Sequence, residues 1–232
     1  MKTIINILSI LIISLFFCFQ QSGKKKTGAE LDGLKGTVKQ VKQECYNAID
    51  SSYEIIKSSK SDINNNLTRY DENGNKINYC QYDSTGRLLY RHTYKYDGDG
   101  NQIEEAWYNP DSTLYLKSTF KYDDNGNQIE ENDRRPNGSL RYRSTSTYDS
   151  KGNKIKENQY NPDSTISYKT TFKYDDVGKK IKESEYSADG KLVSETSYSY
   201  QERDDHGNWI KATAFSDNLP SLILLREITY YE

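Results

Sequence analysis

A period of 26 residues governs the middle of this 232-residue chain. Tyr-Asp pairs stand at Tyr70-Asp71, Tyr96-Asp97, Tyr122-Asp123, Tyr148-Asp149 and Tyr174-Asp175. A glycine follows each Tyr by four positions, at Gly74, Gly100, Gly126, Gly152 and Gly178. An isoleucine follows each glycine by three, at Ile77, Ile103, Ile129, Ile155 and Ile181. Columns that keep phase this long restrict the chain to a repeat architecture, in which each unit is one piece of supersecondary structure.

Each unit holds two turns. One reads as Asp124-Asn125-Gly126-Asn127, where Asp and Asn bond their own backbone and Gly accepts a positive φ. Halfway along lie Asn109-Pro110-Asp111-Ser112, Pro136-Asn137-Gly138, Asn161-Pro162-Asp163-Ser164 and Ala188-Asp189-Gly190, with Pro presetting the first corner and Gly the left-handed exit. Two turns per unit leave two strands of about eight residues, so each repeat is a β-hairpin. The returning strand alternates: Leu114, Leu116, Ser118, Phe120 and Tyr122 point one way, and Tyr115, Lys117, Thr119 and Lys121 the other. The first face, with Leu88, Leu140, Ile166, Leu192, Tyr90, Tyr142 and Tyr168, is apolar enough to need covering by curling, by the N-terminal segment or by a partner. The outgoing strand carries acids, at Glu104, Glu105, Glu130, Glu131, Glu157 and Glu183. Ion pairs across to the basic column follow, each about 0.2–1 kcal/mol.

Only 34% of the residues are hydrophobic, while Tyr numbers 21. A thick globular core is excluded, and aromatic and β-branched residues favour half-buried strands. The expected fold is all-β: tandem hairpins in an elongated, twisted antiparallel meander, preceded by a helical signal segment. Residues 1–22 read as a signal peptide or lipoprotein leader and 23–33 as a flexible tether. Residues 34–69 read as a degenerate capping hairpin, 70–199 as five repeats, and 200–232 as a C-terminal capping hairpin.

Lys2 and the apolar run Ile4 to Phe19 form an export signal. Leu15-Phe16-Phe17-Cys18 resembles a lipobox, with Cys18 as the lipidation site, although Phe17 occupies a place that favours a small residue. Cutting by ordinary signal peptidase near Ser22 is the rival. The protein is expected in the periplasm or at the cell surface, with a lipid on Cys18 as its route to the outer membrane. Membrane contact is expected only through that leader or lipid. A net charge of −2, from finely mixed acids and bases, offers no field for nucleic acid. Cys45 and Cys80 can bridge only if adjacent strands bring them within about 7 Å.

Tyr-Asp-x-x-Gly-Asn-x-Ile, followed by Asp-Gly-x-Leu or Pro-Asp-Ser-x-Leu, resembles the YD (Rhs-type) repeat over residues 70–199. The leader, the array and the ending Arg226-Glu227-Ile228-Thr229-Tyr230-Tyr231 also resemble small envelope lipoproteins of Bacteroidetes-type bacteria. The resemblance implies a hairpin array. Large members wrap such arrays into shells around toxin domains, and some bind carbohydrate. Five clear repeats, with Gly-Arg-Leu only at Gly86-Arg87-Leu88, are too few for a closed shell.

No enzyme is expected. His92 and His206 are the only histidines, and neither neighbours a nucleophile. Neither cofactor nor metal is expected, because turn chemistry accounts for Asp97-Gly98-Asp99-Gly100-Asn101 and a closing bidentate Glu is missing. The candidate ligand face is the polar column of Arg91, Tyr115, Lys117, Arg143 and Lys169. The leading expectation is a non-catalytic envelope binding or scaffold protein that presents its sheet to a protein partner. A carbohydrate-binding module and a toxin-associated or immunity-type protein are the alternatives.

Overall fold

The structure, a computed structural model, describes residues 27–51 and 54–232. Cys18, the leader and the first part of the tether lie outside the described residues. A helical turn, α1 (Gly28–Leu31), precedes fifteen strands: β1 (Val38–Asp50), β2 (Ile55–Lys60), β3 (Asn65–Tyr70), β4 (Lys76–Tyr82), β5 (Leu88–Tyr96), β6 (Gln102–Tyr108), β7 (Leu114–Tyr122), β8 (Gln128–Arg134), β9 (Leu140–Tyr148), β10 (Lys154–Tyr160), β11 (Ile166–Tyr174), β12 (Lys180–Ser187), β13 (Leu192–Arg203), β14 (Trp209–Ser216) and β15 (Leu219–Tyr230).

From β3 to β15 each strand pairs antiparallel with the next. β1 then closes the ring. Along one edge its Val38 to Asn47 pair with Tyr230 to Leu222 of β15. Along the other, Gln40 to Gln43 pair with Arg69 to Asn66 of β3, and Tyr46 to Asp50 with Lys60 to Ile55 of β2. β2 and β3 thus lie end to end along one side of β1, and the sheet is a closed barrel of fourteen strand positions. The expectation of an elongated, twisted meander is overturned. Closure satisfies the backbone groups that an open sheet would leave on its two edges, and it hides the apolar face of the hairpins from water. The curling foreseen as one way to cover that face is carried through to a ring.

Both turn families share one geometry. Asp97 N–H donates to Asn101 O at 2.9 Å and Gly100 N–H to Asp97 O at 3.0 Å; halfway, Asn109 N–H donates to Thr113 O at 3.0 Å and Ser112 N–H to Asn109 O at 2.9 Å. This is a three-residue loop whose last residue is left-handed. The glycine column fills that position, with φ from +75° to +81°. The Asp column locks the same loop: Asp123 Oδ1 accepts from the Asn125 and Asn127 amides at 3.0 and 2.8 Å, and Oδ2 from Asn127 Nδ2 at 2.9 Å. In two halfway turns Ser takes the left-handed place, with φ +66° at Ser112 and +68° at Ser164. Such a conformation costs a residue with a Cβ about 1 kcal/mol, part of which glycine returns as unfolded-chain entropy. Ser112→Gly and Ser164→Gly are each expected to stabilise the barrel by roughly 0.5 kcal/mol, read from urea denaturation; a loss of stability would contradict the strain.

The Tyr column staples one repeat to the next. The hydroxyls of Tyr96, Tyr122, Tyr148, Tyr174 and Tyr200 donate to the carbonyls of Lys76, Gln102, Gln128, Lys154 and Lys180 at 2.7–2.9 Å, each reaching back 20 residues. At the seam the last link changes partner, and the Tyr231 hydroxyl donates to Tyr70 O at 2.7 Å.

The seam also holds the main apolar cluster, in which Ala29, Leu34, Val38, Val41 and Tyr70 pack with Ile228 and Tyr230. Thr27 caps α1, whose Ala29 amide bonds Gly74 O at 2.9 Å. Part of the stretch read as tether is therefore docked on the barrel end that carries the Asp-Gly turns. A second cluster, of Cys45, Ala212, Ala214 and Leu224, lies under β1, β14 and β15. Cys45 and Cys80 are both free and buried, and burial pushes the Cys45 thiol up to about 11.

Candidate functional site

Alternation along the strands sorts each repeat into an outer and an inner wall. Arg91, Lys117, Arg143 and Lys169 occupy one outward column on β5, β7, β9 and β11, about 10 Å apart by strand spacing. The column is engaged. Lys117 and Lys95 hold Glu104 at 2.5 and 2.9 Å; Arg143 and Lys121 hold Glu130 at 3.6 and 2.7 Å. Lys121 and then Asn132 keep the Glu130 carboxyl below the usual carboxylate range. Arg91 lies 4.8 Å from the Tyr108 ring and Arg143 4.6 Å from that of Tyr160. Lys169 stands in register between Asn158 and Tyr186.

Tyr115 does not join this column. It is the extra residue where Trp107 faces Leu116 and Tyr108 faces Leu114, and such a bulge re-aims the side chain. Its ring sits 6.0 Å from Tyr90, with the Arg141 guanidinium 5.4 Å away, at the barrel mouth formed by the halfway turns. At the opposite end a bulge acts on the Ile column. Lys95 faces Glu104 while Tyr96 faces Gln102, so Ile103 shares the outward side with Glu104. Ile77, Ile103, Ile129, Ile155 and Ile181 are 52, 46, 38, 38 and 37% exposed, forming an apolar row across alternate strands.

The inner wall is layered. Nearest the halfway turns Tyr115 meets Tyr90, whereas Leu114 and Ile166 are paired with Tyr108 and Tyr160, whose rings lie under Arg91 and Arg143 of the outer column. Below them the paired rows run through Trp107 and Leu116, then Asp133 and Tyr142. The next layer pairs Glu105 with Ser118, Glu131 with Ser144, and Glu157 with Thr170. Adjacent acids on an outgoing strand, such as Glu104-Glu105, must face opposite sides, so one of each pair had to enter the interior. The expected ligand face omitted these inward acids, although that adjacency was the signal.

Inside, His92 Nδ1 meets Glu105 Oε1 at 2.6 Å, and its ring stacks 4.1 Å from Trp107. Lys154 pairs with Glu157 at 2.8 Å and Lys180 with Glu183 at 2.6 Å. In the unit between, Gln128 stands where those lysines stand, and its Nε2 is 3.3 Å from Glu131 Oε2. Asp133 is wholly buried and accepts from Ser118 Oγ at 2.5 Å through Oδ1, while its Oδ2 has no partner. Desolvation, followed by the charges of Asp133, Glu105 and Glu157, pushes the Glu131 carboxyl up to about 8. Among the described residues no three His, Cys, Asp or Glu side chains converge closely enough to hold a metal ion.

No protein-family model matches the chain, and no curated protein matches it. Solved structures do resemble it. A porin-like protein from Bacteroides uniformis superimposes with a TM-score of 0.50 at 11% identity, over 90% of this chain and 100% of that one. A porin-like protein from Bacteroides vulgatus gives 0.46 at 12% identity, over 84% of this chain and 98% of its own. A chain of the Photorhabdus luminescens Tc holotoxin pore gives 0.32 at 15% identity, over 73% of this chain and 12% of its own. The Bacteroides uniformis likeness shows a common barrel fold.

Proposed function

We propose that this chain is a non-catalytic binding protein of the bacterial envelope, which docks a protein partner on the outer wall of its barrel. The observation that carries the reading is the Ile row: five isoleucines a third to a half exposed on alternate strands, flanked by the ion pairs Lys95–Glu104 and Lys121–Glu130, an apolar set within a polar rim as at protein-docking surfaces. The export signal, and the shared fold with a porin-like protein, support an envelope location. A pore is the weaker reading. A membrane-spanning barrel needs an outward apolar band about 25 Å tall, and a lysine at its midplane costs roughly 2–4 kcal/mol; here Lys95, Glu104, Lys117, Lys121, Glu130 and Arg143 occupy the outer wall.

Replacing Ile103, Ile129 and Ile155 together by Ser tests the docking. Each exposed change is expected to move stability by no more than about 0.5 kcal/mol, while cross-links from the barrel to envelope proteins disappear. Cross-links that persist at wild-type yield would refute it. A carbohydrate-binding reading draws on the exposed Tyr90, Tyr115 and Tyr168 rings near the halfway turns, which offer stacking platforms. A glycan array with Tyr90→Ala and Tyr168→Ala as controls decides between the two.

A further inference from the structure

The inner wall repeats a charge arrangement that one unit leaves incomplete. Glu157 and Glu183 each meet a lysine from three residues earlier, at 2.8 and 2.6 Å, and Glu105 is met by His92 at 2.6 Å. Glu131 has the neutral amide of Gln128 as its hydrogen-bond partner, and Lys154, paired with Glu157, acts on it only at longer range. Asp133, two residues further on, contributes a second inward carboxylate. It is 0% exposed, and its Oδ2 has no hydrogen-bond partner. Among the described residues neither carboxylate has an ion-pair partner, and a buried carboxylate oxygen without a donor is costly. The indole Nε1 of Trp107, in the column of Asp133 one repeat earlier, is also buried without an acceptor. Tyr142 faces Asp133 across the β8–β9 ladder; burial and then its hydroxyl's approach to Asp133 push the phenol up, and its aromatic surface suits a cation.

We propose that the inner wall between β6 and β9 is a binding site for an aliphatic ammonium group, seated on Asp133 and Glu131 and flanked by Trp107 and Tyr142. The ammonium supplies three donors, which match the free Asp133 oxygen and the Glu131 carboxyl. It supplies to Glu131 the positive charge that Lys154 and Lys180 supply to Glu157 and Glu183 in the following repeats. The ligand's remaining body would be apolar, because the wall toward the halfway turns carries Leu116, Tyr90, Tyr115 and Tyr142. The site lies on the opposite side of the sheet from the Ile row and does not depend on it.

The test titrates the full-length protein with 1,8-diaminooctane and, in parallel, with 1,8-octanediol, reading tryptophan fluorescence and melting temperature. A saturable response to the diamine and none to the diol is expected. Asp133→Asn should weaken the diamine by about tenfold or more, since it removes a desolvated charge partner. Gln128→Lys restores the arrangement of the later repeats within the chain; it should melt no lower than wild type and lose the diamine by a similar factor. This second variant keeps the proposal testable if Asp133→Asn does not fold. An equal response to the diol, no response to the diamine, or undiminished binding by Gln128→Lys would overturn it. A lysine-centred tripeptide in a further arm separates the two sources of this chemistry: stronger binding of the peptide assigns the site to a lysine side chain of an extended chain, and stronger binding of the diamine to a free small amine.

Discussion

Replacing Tyr70 by alanine should be among the most damaging single changes in the barrel, lowering stability by about 3–5 kcal/mol, as large buried aromatics do when truncated. Tyr70 is only 2% exposed. Its ring packs with Ala29, Leu34, Val38 and Val41, and its hydroxyl donates to Asp32 Oδ2 at 2.5 Å. Asp32 in turn holds Lys76 at 2.8 Å. One side chain therefore ties together the N-terminal turn, β1, β3 and β4 at the place where the ring closes. Tyr122→Phe provides the scale: it removes a single repeat staple, the 2.8 Å bond to Gln102 O, and should cost about 1 kcal/mol. Urea denaturation of both variants measures the contrast. If the two losses were equal, the seam would contribute no more than an ordinary repeat.

Stability should fall between about pH 5 and pH 8, the reverse of the usual alkaline gain of a protein rich in carboxylates. Glu131 is responsible. Its carboxyl, ordinarily near 4.5, is pushed up to about 8 by desolvation and then by Asp133, Glu105 and Glu157, against a smaller opposing pull from Lys154. A folded-state value above the unfolded one means that the folded barrel keeps a proton which the unfolded chain releases. The contribution is complete below pH 4.5 and is lost as pH rises through about 8, by up to roughly 1.4 kcal/mol per pH unit. The turn aspartates act in the opposite sense. Asp83, bonded by the Thr85 hydroxyl and then by Arg87, is held at about 2, and its contribution appears above the ordinary value of 3.8 and is lost as pH falls toward 2. The melting temperature should therefore peak near pH 5, and Glu131→Gln should flatten the alkaline side alone. A wild-type curve flat from pH 5 to 8 would contradict the crowding of inward acids.

Much of the local structure was legible in the sequence. The Tyr-Asp and Gly columns marked the turns, since few residues other than Gly adopt φ near +78° readily, and Gly126 sits at that angle. Alternation marked the two faces of β7, whose Leu116 and Ser118 are buried while Lys117 and Thr119 are exposed. The acid and base columns predicted ion pairs such as Lys121–Glu130. Bulges were not legible, because they count two residues against one and depend on the partner strand. That is why Tyr115 was assigned to the basic column and instead meets Tyr90.

The sequence by itself determined the hairpin, its two turns and the alternation along the middle of each strand, because these are set by contacts within one 26-residue unit. It did not determine that the array closes. Closure rests on β1 meeting β15, with Cys45 opposite Leu224 and Gln43 opposite Arg226, residues almost the whole described chain apart. No period in the sequence records such a pairing. The accumulated twist of all the strands decides whether the two edges arrive together. Closure also turned one face of every hairpin into an interior. There the Lys-to-Gln change at Gln128 became a missing charge beside Glu131 and Asp133, whereas on an open sheet water would have solvated it.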